Sequence, residues 1–340
     1  MRRLARALAA LLLVLGAAPA AAQGILNLYC SAPVEWCQVM ANGFQAASGI
    51  HVAMTQKSTG EVLAQMRAEA ANPKGDLWWT GQADAHLVAA EDGLTQEYRP
   101  AALDDLEPWA RQQWTVSHGR AVGVAGLAVG IGFNTEILAK RRLAAPRCWA
   151  DLLRPAYRDE IQMSNPNSSG TAYTVIGILV QAMGEDGAFS YLQALHANVN
   201  SYPRSGVAPT RAVARGETGI SIGFLQGFAA EKQAGFPVET VAPCEGTALA
   251  VDSMSIVRGA RNIAAARRFF DWALSPEAQA LTAKAGQLHL PANRKAPPPP
   301  GTPDLATAKL LDYDFARFGR GAERARLLAR WDAEVGSRPR

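Results

Sequence analysis

Three short segments concentrate groups that can hold a ligand. Ser164-Asn165-Pro166-Asn167-Ser168-Ser169-Gly170-Thr171 places six hydrogen-bonding side chains in eight residues, between an apolar strand and a helix. It is not a Walker loop, because no Gly-Lys-Ser/Thr follows. Lys57-Ser58-Thr59-Gly60-Glu61 opens a second helix, and its Ser58-x-x-Glu61 spacing is that of a capping box. Arg204-Ser205-Gly206-Val207-Ala208-Pro209 sets an arginine before a Ser-Gly turn and a proline-started helix, an arrangement suited to clamping a carboxylate or phosphate. Helix starts carry unbonded N–H groups and a partial positive charge, so they bind anions. Serine and threonine add hydroxyl donors, and glycine lets backbone come close. Ser31, Gly81, Gln82 and Glu245 lie at other strand ends or turns, and Asp252 lies before a strand. Glu245 and Asp252 are read as acceptors for ligand hydroxyls.

Catalytic patterns are missing. The one Gly-x-Ser-x-Gly spacing, Gly219-Ile220-Ser221-Ile222-Gly223, falls inside the run read as the Gly219–Phe224 strand rather than at a strand-to-helix elbow, and there is no His-Glu-x-x-His helix. His51 and His86 have no nucleophile beside them in sequence. No Cys-x-x-Cys pair supports a zinc site. The expectation is a binding module without catalytic residues, metal or cofactor.

The elements that must position these segments follow from the apolar pattern. Ile25–Tyr29, His51–Thr55 and Asp76–Thr80 read as strands, alternating with helices over Val34–Ala46 and Val62–Ala71. Such alternation implies a parallel sheet with helices on its faces. Trp78 and Trp79 must then point to opposite faces. Ala121–Phe133 is glycine-studded and reads as one or two strands crossing between lobes. Ile161–Met163, Gly219–Phe224, Val238–Ala242 and Met254–Val257 are further strands. Helices are expected over Thr171–Met183, from Asn134, over Ile263–Leu274, and from Ser275-Pro276. Pro297–Pro300 is a linker, and Leu305–Val335 is helical.

Composition sets the remaining bounds. The chain has 340 residues, 49 % hydrophobic and 19 % charged, so a sizeable core is expected. Met1–Ala22 has basic Arg2, Arg3 and Arg6, an apolar stretch and Ala20-Ala21-Ala22, which is a cleavable secretory signal peptide (residues 1–22). The formal charge is +4. Three arginines leave with the leader, so the mature chain is near neutral and gives no basis for nucleic-acid binding. Four cysteines in an oxidising compartment imply disulfides. They allow three pairings. Cys30 and Cys37 are close in sequence and favour each other, which leaves Cys148 with Cys244.

The order of elements resembles the type II periplasmic solute-binding proteins of ABC importers, in the branch of ferric-ion and sugar-phosphate receptors. The segments that carry the resemblance are Gly75-Asp76-Leu77-Trp78-Trp79 with Ala90-Glu91-Asp92-Gly93-Leu94, Gly132-Phe133-Asn134-Thr135, Ala214-Arg215-Gly216-Glu217, and Phe269-Phe270-Asp271-Trp272 with Leu274-Ser275-Pro276-Glu277-Ala278-Gln279. It implies a two-lobed α/β fold with crossing hinge strands. The first lobe would take 24–126 plus 253–340, and the second 127–252. The expected protein is a periplasmic monomer. It captures a small anionic organic ligand, a phosphorylated sugar or similar organophosphate, and delivers it to ABC importer permease subunits. The ferric branch uses adjacent tyrosines, and none of the seven tyrosines here are adjacent. Ferric iron is therefore the alternative ligand. The residues and the resemblance together give an expected site of Ser31, Ser58, Thr59, Gly60, Gly81, Gln82, Ser168, Ser169, Gly170, Thr171, Arg204, Ser205, Gly206, Glu245 and Asp252.

Overall fold

A computed structural model describes residues 24–339; the predicted signal peptide lies outside them. The first strands and helices form where the apolar pattern places them. Strands β1 (Ile25–Cys30), β2 (His51–Gln56) and β3 (Leu77–Gln82) alternate with helices α1 (Val34–Ser48) and α2 (Thr59–Ala68). Both β2 and β3 run parallel to β1. Helix α3 (Ala83–Glu91) follows, then β4 (Thr95–Gln96) and α4 (Pro108–Val116). Trp78 and Trp79 are both buried on opposite faces of β3. Trp79 meets Trp36 and Phe269 in one core, and Trp78 joins Val62, Leu63 and Val88 in another.

The glycine-studded run is one continuous strand, β5 (Val122–Asn134). Its glycines admit close neighbours. A Cβ at Gly132 would sit 2.2 Å from the Phe228 ring, and one at Gly130 would sit 2.1 Å from Leu225. The second lobe continues with α5 (Thr135–Arg141), β6 (Ile161–Gln162), α6 (Gly170–Met183), α7 (Glu185–His196), β7 (Val199–Ser201), α8 (Ala208–Ala214), β8 (Ile220–Phe224), α9 (Leu225–Gln233) and β9 (Val238–Val241). Strand β10 (Thr247–Val257) then returns to the first lobe. It is much longer than the Met254–Val257 strand that sequence predicts. The sheet order is β2-β1-β3-β10-β5-β8-β6-β7. β5 and β10 are thus the crossing strands. The first half of β5 pairs antiparallel with β10, and its second half pairs with β8 and β9. β10 changes register at Asp252, a bulge that breaks pairing on both of its sides.

Helices α10 (Ile263–Ala273) and α11 (Pro276–Lys284) lead to short β11 (Leu290–Pro291) and β12 (Leu310–Leu311), then α12 (Phe315–Phe318) and α13 (Gly321–Trp331). Sequence groups residues 253–340 with the first lobe, but the last helices make many of their contacts with the second. Tyr173 donates to the Phe318 carbonyl, Gln193 to Glu334, and Arg326 pairs with Glu185 through two hydrogen bonds. Trp331 and Val335 share a core with Trp149, Phe189 and Tyr173. An amphipathic helix has a face to bury, and that face does not say against what. Both disulfides, Cys30–Cys37 and Cys148–Cys244, are formed.

Candidate functional site

The starts of α1, α2 and α6 converge on one cavity of about 110 Å³ between the lobes. That is well above the roughly 10–15 Å³ needed for one water-sized probe. From the first lobe come Ser31, Gln56, Ser58, Thr59 and Gln82. From the second come Ser169, Gly170, Thr171, Ser205, Gly206, Thr210 and Arg211. Asp252 contributes from the bulge of a crossing strand, and His289 from the turn before β11.

Local caps explain how the helix starts are presented. Ser169 is the N-cap of α6, and its hydroxyl accepts from Ala172 N–H at 3.3 Å. The N–H groups of Gly170 and Thr171 precede the first intrahelical bond, and both residues face the cavity. At α2, Glu61 accepts from Ser58 N–H at 3.1 Å, which closes one arm of the predicted box. The Ser31 loop is tied to β3: Ser31 N–H donates to Thr80 Oγ1 and Trp79 O, and Trp78 Nε1 donates to Ser31 Oγ at 2.9 Å. Thr80 takes a positive φ of 63° to allow this turn.

A polar chain crosses the site. The Thr59 hydroxyl donates to Gln82 Oε1 at 3.4 Å, and Gln82 Nε2 donates to Asp252 Oδ1 at 2.7 Å. Burial pushes the Asp252 carboxyl up to about 7, with the Gln82 hydrogen bond opposing. His289 is also buried, and desolvation lowers its pKa to about 3, so its ring is neutral. Arg211 is the arginine that reaches the cavity, and it is paired with Glu35 of the facing lobe at 2.8 Å. Glu231 lines the same wall, its pKa raised by burial.

The lobes touch around this cavity. Gly60 N–H donates to Ser168 O at 2.9 Å, and the Ser58 hydroxyl donates to Arg204 O at 3.4 Å. Gly60, Ser168 and Gly81 therefore sit beside the cavity wall rather than on it. Gly60 and Ser168 join the lobes, and Gly81 turns the chain behind Ser31 and Thr59. Two expected contributors are directed elsewhere. The Arg204 side chain is 78 % exposed and pairs with Glu61, so its charge points outward and Arg211 takes the inner position. The Glu245 carboxylate accepts from Trp149 and Ala150 N–H at 2.7 and 2.8 Å, which caps a short 3-10 turn away from the cavity. Glu245 also stands beside Cys148 and Cys244, the one metal-like cluster among the described residues. Those two sulfurs are consumed by the disulfide.

Sequence reasoning did not select Gln56, Thr210, Arg211, Glu231 or His289. Gln56 ends a strand, so the strand-end rule that chose Gln82 reaches it too. Arg211 lies one turn inside a helix whose start was recognised. His289 has no sequence signal.

Comparison with known proteins accounts for this architecture. Residues 72–318 match the bacterial extracellular solute-binding protein family. The chain belongs to that family. An uncharacterized protein of Haemophilus influenzae is 40 % identical over 331 residues, covering 96 % of this chain and 95 % of the relative. A putative 2-aminoethylphosphonate-binding periplasmic protein of Salmonella paratyphi A is 26 % identical over 276 residues, 78 % of each chain. Among solved structures, the periplasmic binding protein AfuA from Actinobacillus pleuropneumoniae, with exogenous fructose-6-phosphate bound, superposes with a TM-score of 0.89. It shares 38 % identity over 93 % of this chain and 100 % of its own. The periplasmic binding protein P5PA gives 0.88, with 36 % identity over 92 % and 99 %. The solute-binding chain is a receptor of the two-lobed type II fold and not an enzyme.

Proposed function

We propose that this receptor captures a small organophosphate, a phosphorylated sugar or similar molecule, in the periplasm and delivers it to the permease of an ABC importer. The observation that carries this reading is the convergence of the α2 and α6 starts, from opposite lobes, on one cavity. Such a site holds an anion with backbone N–H groups and hydroxyls and needs few cationic side chains. Arg211 is already paired, so the anion is held chiefly by Ser58, Thr59, Ser169, Gly170 and Thr171. The fructose-6-phosphate in the AfuA structure and the phosphonate named for the Salmonella relative support the same ligand class. The predicted leader and the periplasmic relatives support the compartment. Among the described residues no helix is long and apolar enough to cross a membrane.

Ferric iron fits less well. Among the described residues no tyrosine lines the cavity. Tyr29 and Tyr98 bond Glu69 and Asp271, and Tyr157, Tyr173 and Tyr191 bond backbone carbonyls. Calorimetry and thermal shift with fructose 6-phosphate, other sugar phosphates, inorganic phosphate, 2-aminoethylphosphonate and ferric salts test the reading. A ligand at 100 times its Kd adds about 2.7 kcal/mol of stability. Binding of a phosphorylated compound should weaken about 10–100-fold in each of Thr59→Ala and Ser169→Ala, one from each lobe. Saturable binding of iron alone would replace the ligand class.

A further inference from the structure

His289 is a cavity residue that neither the helix starts nor the Thr59–Gln82–Asp252 chain uses. It is 6 % exposed, and its Nδ1 is buried with no hydrogen-bond partner among the described residues. Its ring meets Trp36 edge-on, with centroids 4.5 Å apart. Trp36 adjoins Cys37 of the Cys30–Cys37 disulfide, so the surface behind the imidazole is fixed. A neutral imidazole has one N–H and one lone pair. Burying an unpaired N–H is the rarer and costlier choice, so the shut-in Nδ1 carries the lone pair and the proton sits on Nε2. His289 lines the cavity, so the Nε2–H is the neutral donor it can offer there. A phosphate group held at helix starts draws its donors from their N–H groups and hydroxyls, which leaves this one for a hydroxyl or carbonyl oxygen. Among the described residues the Asp252 side chain bonds Gln82 alone, and when ionised it offers the complementary acceptor. Closing a polar cavity over an analogue that leaves such groups unpaired is how a binding site rejects it.

Resting on the organophosphate reading above, we propose that His289 is a specificity residue whose Nε2–H donates to a hydroxyl or carbonyl oxygen in the organic part of the ligand. With Asp252 it makes the receptor select hydroxylated organophosphates over inorganic phosphate and over phosphonates that lack a hydroxyl. The test is calorimetry of the purified receptor with fructose 6-phosphate, 2-aminoethylphosphonate and inorganic phosphate, in wild type, His289→Phe and His289→Gln. Phe keeps the edge contact with Trp36 without the donor, and Gln restores an N–H. The expected result is at least about a ten-fold loss for fructose 6-phosphate in His289→Phe, less than about two-fold for inorganic phosphate, and recovery in His289→Gln. Equal losses on all probes, or none, would overturn the proposal. Ring nitrogen NMR supplies a ligand-free arm. The proposal requires a neutral Nε2–H tautomer throughout pH 5–8, and a ring protonated on Nδ1 or titrating in that window overturns it. Wild type that binds no organophosphate would instead sink the ligand class, and the NMR arm would still judge the histidine.

Discussion

Asp252 is the cavity group whose ionisation matters most at the residue scale. The bulge in β10 places it, burial pushes its carboxyl up to about 7, and Gln82 gives it one donor. In an unfolded chain the same group titrates near 3.9. Between those values the folded state holds a proton that the unfolded state has released. Stability contributed by this site is therefore full below about pH 4, falls as pH rises, and is lost above about 7. Asp252→Asn keeps an acceptor for Gln82 and removes the titration. Buried Asp84, raised to about 6, titrates in part of the same window, so the useful quantity is the difference between wild type and variant. Without ligand, that difference in melting temperature should be small at pH 4.5 and should favour the variant increasingly up to pH 8. A difference flat with pH would mean that Asp252 is ionised throughout.

The two disulfides do different jobs at the scale of elements. Cys30 ends β1 and Cys37 lies in the first turns of α1, so their bond closes a short loop containing Ser31, Ala32 and Pro33, all on the cavity wall. Cys148–Cys244 closes a separation of 96 residues at a turn away from it. Loop-closure entropy predicts about 2–3 kcal/mol for the first and about 4.7 for the second. Ligand affinity should rank them in reverse. Cys30→Ala/Cys37→Ala should lose several-fold in affinity with the smaller drop in melting temperature, and Cys148→Ala/Cys244→Ala the larger drop with affinity kept. If both pairs track stability alone, the short disulfide does not hold the ligand loop. Element scale is also where the sequence is most legible. Strand and helix alternation, and the caps at Ser58 and Ser169, depend on residues close in the chain, so they can be read locally. Only the last four residues of β10 were readable, because Thr247–Ser253 lacks clean alternation. The direction of Arg204, the capping use of Glu245 and the approach of His289 depend on segments that meet only after folding.

On the proposed function, capture brings the two lobes together, and Gly60 sits where they meet. Exposed pairs such as Arg211–Glu35 and Arg204–Glu61 cross the same seam but are worth at most about 1 kcal/mol each. A buried junction lies elsewhere: Asp84 of the first lobe accepts from Thr174 at 3.1 Å and from Tyr313 at 3.2 Å. Gly60 differs because its constraint is steric. A Cβ there would lie 2.5 Å from Asn167 O and 2.9 Å from Ser168 O, both backbone atoms of the facing lobe. Backbone cannot swing aside as a side chain can. Within its own helix, alanine is a better former than glycine. Gly60→Ala should therefore fold with an unchanged or higher melting temperature while the closed arrangement becomes inaccessible. Since a ligand shifts the equilibrium only by binding the closed state better, affinity should fall at least about ten-fold. Small-angle scattering should show the ligand-induced compaction of wild type reduced in the variant. Wild-type affinity and compaction in Gly60→Ala would mean that the Gly60–Ser168 contact is not part of the ligand-bound state.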